Sequence, residues 1–298
     1  MSKSPDNTEL RSLLKRVREI EIRSRKKAQS LISGQYKTVF KGSGIEFEEV
    51  REYIRGDDVR SIDWNVTART GKLFVKKFSE ERELTVLLLI DVSGSQDFGS
   101  KTHFKKELAT ELAAVLSLSA VKSKDKIGLV LFSDRIEKFI PPKKGRTHVL
   151  RIIREVLAFK PVSRKTNLNA ALAYVNGILK RRAILFLISD FFDKDYEKDI
   201  QISARKNDLI PVILRDRLEE EIPNMGLVAF EDGESGKISY VDTASKAFRK
   251  KYKKKCEKRD REQVHKMLSI NMDSIIIRTG SDYINQLLSF FKKRAGRY

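Results

Sequence analysis

Cysteine is nearly absent from this sequence, whose 298 residues include only Cys256. A single cysteine excludes an internal disulfide and is typical of proteins in a reducing compartment. Long apolar runs are missing too, because the longest, Val86 to Ile90 and Ala183 to Ile188, fall far short of the roughly 20 residues of a membrane-spanning helix. The first residues are polar and charged, unlike a secretory signal. We therefore expect a cytoplasmic protein.

Familiar catalytic motifs are also lacking. The sequence has no GxxxxGK[ST] loop, no HExxH and no CxxC, and its three histidines are dispersed. We therefore expect no enzyme, since no catalytic constellation is recognisable. A Mg²⁺-dependent hydrolase stays open as an alternative.

Positive charge is abundant, with 61 Lys and Arg against 41 Asp and Glu and a net charge of +20. Such an excess favours acidic partners. The densest basic run, Lys246 to Arg261, carries Phe248 and Tyr252 at helical spacing and predicts one helix with a small apolar stripe. This helix presents either a solvated face, a surface for an acidic protein, or a surface for nucleic acid or a membrane. No RNA-binding signature, zinc finger or basic zipper accompanies it.

The pattern along the chain divides it into four predicted segments. Residues 1–33 form an amphipathic helix, marked by apolar residues at helical spacing between Leu10 and Ala28. Residues 34–83 form a glycine-broken, strand-containing appendage. Residues 84–242 alternate apolar strands with helices and end in a hairpin, and residues 243–298 add the basic helix, a strand and a helix packed on the same body.

The alternation of strand and helix after Leu84 predicts an α/β fold with a doubly wound, mainly parallel sheet covered on both faces. The continuous apolar strands LTVLLLI and AILFLI fit burial on two sides. The segment LVAFEDGESGKISYVD predicts a hairpin with a glycine-containing turn.

A possible metal site follows the first central strand. Asp91, Ser93 and Ser95 form a DxSxS sequence at the carboxyl end of that strand, where open α/β sheets place their ligands. Alternate residues of an extended chain point the same way. Their oxygens are hard ligands suited to Mg²⁺.

Chain direction brings two more residues to this edge of the sheet. Each predicted strand or helix runs either towards or away from the edge of the sheet that carries Asp91. Followed in chain order, these directions place Thr166 and Asp190 at that same edge. If the strand before Asp190 neighbours the first strand, the two aspartates lie about one strand spacing, roughly 5 Å, apart. Asp134 also ends a strand at this edge, but we expect that strand to be an outer one, about 10 Å away. Asp134 is therefore excluded from the predicted ligands.

Each feature has a plainer interpretation when taken alone. The DxSxS sequence can be a polar turn that caps the next helix, Thr166 or Asn167 can be a helix N-cap, and Asp190 can be a loop residue. Their joint arrival at one edge favours the metal site.

The predicted ligands resemble the metal-ion-dependent adhesion site of von Willebrand factor A domains. They are Asp91, Ser93, Ser95, Thr166 and Asp190. The stretch from GSGIEFEEV through RGDDVRSIDW to LLLIDVSGS, with KIGLVLFSD, KTNLNAAL and LFLISDFFD, resembles the bacterial and archaeal family called domain of unknown function 58, over roughly Gly34 to Phe291. The resemblance implies a six-stranded A-type sheet with one antiparallel edge strand, Mg²⁺ (or Mn²⁺) at its top, and association with MoxR-type AAA+ ATPases.

The RGDDVRSIDW motif before the sheet has a structural interpretation. Gly56 would permit a tight turn, Asp57 or Asp58 would pair with Arg60, and Trp64 would anchor the appendage. A surface that recognises a partner is the alternative.

Together these features favour a Mg²⁺-dependent protein-interaction module, acting as a soluble adaptor for a MoxR-type AAA+ ATPase in assembly, maturation or stress handling. In this hypothesis an acidic side chain of the partner completes the metal site, and Arg164 and Lys165 steer its approach. The alternative is binding to nucleic acid or an anionic surface through the basic face.

Overall fold

The structure is a computed structural model that describes residues 7–34, 46–79, 83–100 and 103–295. The chain divides into two compact units, one formed by residues 1–39 and 85–298 and the other by residues 40–84. None of the helices in the described ranges is both long enough and apolar enough to cross a membrane.

The larger unit begins with helix α1 (Asn7–Gly34), which contains the predicted helix Leu10 to Ala28. Its buried residues Val17, Ile20 and Leu31 form an apolar stripe, as expected for a helix that packs on a core.

The smaller unit is a two-stranded antiparallel sheet with a short helix between its strands. Strand β1 (Glu46–Glu52) pairs with strand β2 (Phe74–Ser79), and helix α2 (Trp64–Thr70) lies between them in sequence. Among the residues of this unit whose burial the structure describes, Ile62 and Val75 are the buried apolar ones.

The rest of the larger unit alternates strands and helices. Its strands are β3 (Thr85–Asp91), β4 (Gly99–Ser100), β5 (His103–Phe104), β6 (Lys126–Phe132), β7 (Ile136–Lys143), β8 (Ile184–Ser189), β9 (Asp208–Arg215), β10 (Leu227–Glu231), β11 (Ile238–Asp242) and β12 (Ile275–Arg278). Its further helices are α3 (Lys105–Lys122), α4 (Arg146–Ala158), α5 (Leu168–Ile178), α6 (Glu197–Lys206), α7 (Arg217–Glu220), α8 (Lys246–Ser269) and α9 (Tyr283–Ala295).

The central sheet has six strands among the described residues, in the order β12-β9-β8-β3-β6-β7. All neighbours are parallel except β6 and β7, so β7 is an antiparallel edge strand. The predicted six-stranded, mainly parallel sheet with one antiparallel pair is confirmed. The predicted hairpin is also present, because β10 and β11 pair antiparallel.

Apolar side chains cover both faces of the sheet. Leu87, Leu89 and Leu187 face a core that includes Leu172 and Val175 of α5. On the opposite face, Phe186 of β8 packs edge-on against Phe291 of α9, with ring centroids 6.4 Å apart. Burial on two sides explains the continuous apolar runs of β3 and β8, because a parallel sheet covered by helices has no solvated face.

Candidate functional site at the carboxyl edge of the sheet

The site lies where the strand order reverses. Strand β3 is flanked by β6 on one side and by β8 on the other, and the chain adds β6 and β7 on the first side before it returns to β8 and β9. Ile90 pairs with Ile188, so Asp91 and Ser189 leave the sheet side by side. Ligands of open α/β sheets bind at such reversal points.

Asp91 is almost completely buried and both of its carboxylate oxygens accept hydrogen bonds. Oδ1 accepts from the backbone N–H of Ser93 at 2.9 Å, and Oδ2 accepts from the Ser189 hydroxyl at 2.7 Å. The hydroxyls of Ser93 and Ser95 lie 3.1 Å apart. These contacts link Asp91, Ser93 and Ser95, but the strand ends at Asp91 and Ser95 lies in a short 3-10 helix (Gly94–Asp97), so the expected alternation of an extended chain does not continue to Ser95. Ser189 was missed by the sequence analysis, although its place before Asp190 at a strand end was a usable signal.

Two backbone hydrogen bonds hold the Thr166 loop against this cluster. The Gly94 N–H donates to the Arg164 carbonyl at 2.9 Å, and the Asn167 N–H donates to the Ser133 carbonyl at 3.0 Å. Asn167 also caps helix α5, because its side chain accepts from the Ala170 N–H at 2.9 Å. The N-cap role open to Thr166 or Asn167 thus belongs to Asn167.

The Thr166 hydroxyl is left without a protein partner. Its Oγ1 atom is buried and forms no hydrogen bond with any described residue. A buried hydroxyl with an unused hydrogen-bonding capacity costs free energy. Such an atom at this edge is available to a ligand.

Asp190 pairs with a buried lysine that the sequence analysis did not anticipate. The Lys105 ammonium lies 2.9 Å from the Asp190 carboxylate and 2.6 Å from that of Glu219, and the Lys105 side chain is completely buried. Lys105 begins helix α3 beside another lysine. Nothing in that local pattern distinguishes it from an exposed helical lysine.

Burial, together with neighbouring charges, shifts the pKa values at this edge. Burial, followed by the nearby charge of Asp190, raises the pKa of Asp91 to about 7, although hydrogen bonds from Ser189 and Ser93 oppose the shift. Burial alone would lower the pKa of Lys105, but Asp190 and Glu219 raise it. Burial raises the pKa of Glu219. A further cation at this edge would reduce the repulsion between these buried carboxylates.

The reason for excluding Asp134 was wrong. Its strand β6 pairs directly with β3, with Phe132 opposite Asp91, so it lies one strand spacing from the centre and not two. The Asp134 carboxylate instead accepts a hydrogen bond from Arg135 at 3.0 Å, and this contact lowers its pKa.

The β10–β11 hairpin approaches the same cluster. A Cβ atom placed on Gly94 would lie 2.0 Å from the Gly233 carbonyl oxygen, so both backbones require glycine here. Arg164 forms an ion pair with Glu231 at 3.3 Å. Next to Gly233, burial raises the pKa of Glu234, and the carboxylates of Asp190, Asp232 and Asp193 add to the rise; the Thr166 hydroxyl, which is nearby but does not meet hydrogen-bond geometry, opposes it. Nothing in the sequence pattern around Gly233 connects this turn with the site.

A second buried cation connects the site to the basic helix. The Arg215 guanidinium donates to the Asp190 carbonyl at 2.6 Å, and also contacts Asp260 and Gln263 of α8. One face of the predicted basic helix therefore packs inside the molecule, and its exposed face carries five of its lysines: Lys250, Lys251, Lys254, Lys255 and Lys258.

The RGDDVRSIDW motif builds a loop of the smaller unit. Gly56 has φ +113°, a conformation that favours glycine. Asp57 forms a bidentate pair with Arg51 at 2.8 and 2.7 Å, whereas Asp58 accepts from the Arg60 backbone N–H. Neither aspartate pairs with the Arg60 side chain, in contrast to the prediction. Trp64 is exposed and not buried by its own unit.

The metal-binding potential of the edge rests on hydroxyls as well as carboxylates. In the described part of the chain no three His, Cys, Asp or Glu side chains cluster as a metal site. Asp91 and Asp190 are accompanied by the hydroxyls of Ser93, Ser95 and Thr166, which are oxygen donors of the kind that Mg²⁺ binds.

Comparisons with known proteins give uncharacterized relatives, a similar solved structure and one matching family. An uncharacterized protein of Mycobacterium tuberculosis and one of Mycobacterium bovis are each 28% identical over 225 residues, which cover 74% of this chain and 71% of theirs. The solved structure of the hypothetical protein BatB from Bacteroides thetaiotaomicron is 13% identical and covers 72% of this chain and 100% of its own, with a TM-score of 0.46. Residues 49–263 match the family described as "Protein of unknown function DUF58". The chain belongs to this family.

Proposed function

We propose that this chain is a cytoplasmic protein-interaction module with a von Willebrand factor A-like adhesion site for Mg²⁺ or Mn²⁺. Asp91, Ser93, Ser95 and Thr166 would hold the cation, with Asp190 as a direct or water-mediated ligand. The observation that carries the proposal is the buried Thr166 hydroxyl, which forms no hydrogen bond with the described residues and belongs to a loop whose Arg164 carbonyl accepts from Gly94 of the DxSxS loop.

The charge balance supports a cation here. Asp91, Asp190 and Glu219 are three buried or largely buried carboxylates, and Lys105 is the ammonium that contacts two of them. A divalent ion supplies positive charge and an open coordination position for a partner's carboxylate. Lys105 holds one Asp190 oxygen, which favours a water-mediated role for Asp190.

The partner that we propose is an acidic surface of a MoxR-type AAA+ ATPase, for which this chain would act as an adaptor in assembly, maturation or stress handling. The ATPase comes from the family resemblance alone. The net charge of +20 would speed association with an acidic protein. Exposed Lys165 lies beside Thr166, whereas Arg164 already pairs with Glu231.

Calorimetric titration with Mg²⁺ tests the site. We expect Asp91→Ala to weaken binding by about 100-fold and Thr166→Ala by roughly tenfold, while Thr166→Ser keeps the hydroxyl and stays near the wild type. Asp134→Ala is the matched control, because it removes a carboxylate at the end of the adjacent strand. If folded Asp91→Ala binds Mg²⁺ like the wild type, the site is wrong. Surface plasmon resonance with the ATPase, with and without chelator, extends the test to the partner.

The exposed lysines of α8 favour a second candidate, binding to nucleic acid or another anionic surface. That interaction would weaken linearly with the logarithm of salt concentration. It would also persist in excess chelator, which distinguishes it from docking at the metal site.

A further inference from the structure

The turn between β10 and β11 is held directly on the DxSxS loop. A Cβ atom on Gly233 would lie 2.8 Å from the Gly94 carbonyl oxygen, and one on Gly94 would lie 2.0 Å from the Gly233 carbonyl oxygen. Such a close approach of two backbones is possible only because both residues are glycine. The turn therefore covers the loop that carries three of the proposed ligands.

Internal hydrogen bonds shape this turn. The Asp232 carboxylate accepts from the backbone N–H and the hydroxyl of Ser235, both at 2.7 Å. The Gly236 N–H donates to the Asp232 carbonyl at 2.8 Å, and Gly236 has φ +69°. At the base of the turn, Glu231 pairs with Arg164, whose carbonyl accepts from Gly94. The turn is thus preorganised and attached at two points.

Glu234 follows Gly233 in the turn, so the close approach of Gly233 to Gly94 places Glu234 beside the DxSxS loop. In agreement with this placement, burial and the carboxylates of Asp190 and Asp193 raise the pKa of Glu234, and the nearby Thr166 hydroxyl opposes the rise. Glu234 is half-buried, and no basic side chain of the described residues forms an ion pair with it. A carboxylate brought towards other carboxylates without a cation is electrostatically unfavourable.

We infer that Glu234 is an internal ligand, which occupies the coordination position that a partner's carboxylate would take. This inference rests on the proposed function. The β10–β11 turn would then close the site in the isolated protein. An acidic partner would bind only by displacing Glu234, so the hairpin would act as an autoinhibitory element that selects a partner able to compete with it.

The test uses Mn²⁺ as the probe and the full chain. Electron paramagnetic resonance titration measures its affinity, and water-proton relaxation measures how much water contacts the bound ion. For Glu234→Ala we expect roughly tenfold weaker Mn²⁺ binding and stronger relaxation, because water replaces the carboxylate. Asp242→Ala is the matched control: it removes an exposed carboxylate from the open end of the same hairpin, and we expect neither change. Glu234→Gln, which keeps the side-chain size, provides a second variant.

The outcomes separate the two proposals. If Asp91→Ala abolishes Mn²⁺ binding while Glu234→Ala and Glu234→Gln match the wild type in affinity and relaxation, the internal ligand is wrong and the metal site stands. If Asp91→Ala also binds Mn²⁺ normally, the proposed function itself fails. Loss of binding in Asp242→Ala as well would mean that the hairpin acts through its fold, and would overturn a specific role for Glu234.

Discussion

Lys105 places a full positive charge inside the molecule, next to the proposed site. Removing an ammonium from water is costly, and the cost is recovered only through close partners. Asp190 and Glu219 supply them at 2.9 and 2.6 Å. The Lys105 ammonium also lies 5.5 Å from the centre of the Phe192 ring, a favourable cation–π geometry. Lys105 therefore fixes the orientation of Asp190 before any ligand arrives.

Replacing this lysine should destabilise the fold. We expect Lys105→Met to cost about 3 to 5 kcal/mol in the free energy of unfolding, because it leaves Asp190 and Glu219 buried without their cation. Urea denaturation measures the change. Lys122→Met, at the exposed end of the same helix, is the control, with an expected effect within about 0.5 kcal/mol. Equal stability of the two variants would contradict the role given to Lys105.

The DxSxS part of the candidate site could be predicted from the sequence, whereas the contributions of Lys105 and Glu234 could not. Asp91, Ser93 and Ser95 could be grouped from the sequence because they are close neighbours along the chain, although a short 3-10 helix (Gly94–Asp97), and not strand alternation, sets the position of Ser95. Lys105 and Glu234 could not be recognised in this way, because their roles depend on contacts 85 residues away in one case and on the docking of a hairpin in the other. Local patterns carry no information about such contacts.

At the scale of elements, the contact between the hairpin and the DxSxS loop depends on two glycines. Gly94→Ala would place a methyl group against the Gly233 carbonyl oxygen. We expect the turn to shift away, at a cost of about 1 to 3 kcal/mol in stability, with faster tryptic cleavage after exposed Lys237. Thermal denaturation and limited proteolysis measure the two effects.

A glycine of α5 gives the matched control. A Cβ atom on Gly177 meets nothing within 4 Å, so Gly177→Ala should stabilise the helix by about 0.5 to 1 kcal/mol. Opposite signs for the two substitutions are therefore expected. A Gly94→Ala protein as stable and as resistant to trypsin as the wild type would show that the hairpin does not rest on the loop.

The order of elements was easier to predict than their lateral placement. Alternating apolar runs and helices indicate a parallel sheet, because both patterns are local in sequence. Whether β6 or another strand becomes the direct neighbour of β3 is decided by the packing of the connecting helices, which the pattern does not encode. Asp134 was placed two strands away for this reason, whereas β6 is in fact adjacent to β3.

At the scale of the larger unit, α1 is attached to the sheet's helical layer by ion pairs as well as by apolar contacts. Arg16 pairs with Glu107 of α3 at 3.2 Å, and Arg146 of α4 reaches Glu21 at 2.6 Å. The first pair is largely exposed and contributes little. Glu21 is different because its side chain is only 5% exposed. The ionisation of Glu21 should therefore contribute to the attachment of the helix.

The pH dependence of stability tests this dependence on Glu21. Burial would raise the pKa of Glu21, but hydrogen bonds from Arg25 and Arg146 outweigh it and lower the pKa below its usual 4.5. A carboxyl with a depressed folded-state pKa binds protons more weakly in the folded state, so its stabilisation is complete above pH 4.5 and is lost as the pH falls through the folded-state value. Glu21→Gln should therefore cost about 1 to 2 kcal/mol near pH 7, and this difference from the wild type should shrink towards zero in acid. Urea denaturation across this pH range measures it, with exposed Glu19→Gln on the same helix as the control. A Glu21→Gln deficit that stays constant down to the acid limit would mean that the side chain acts through packing and not through its charge.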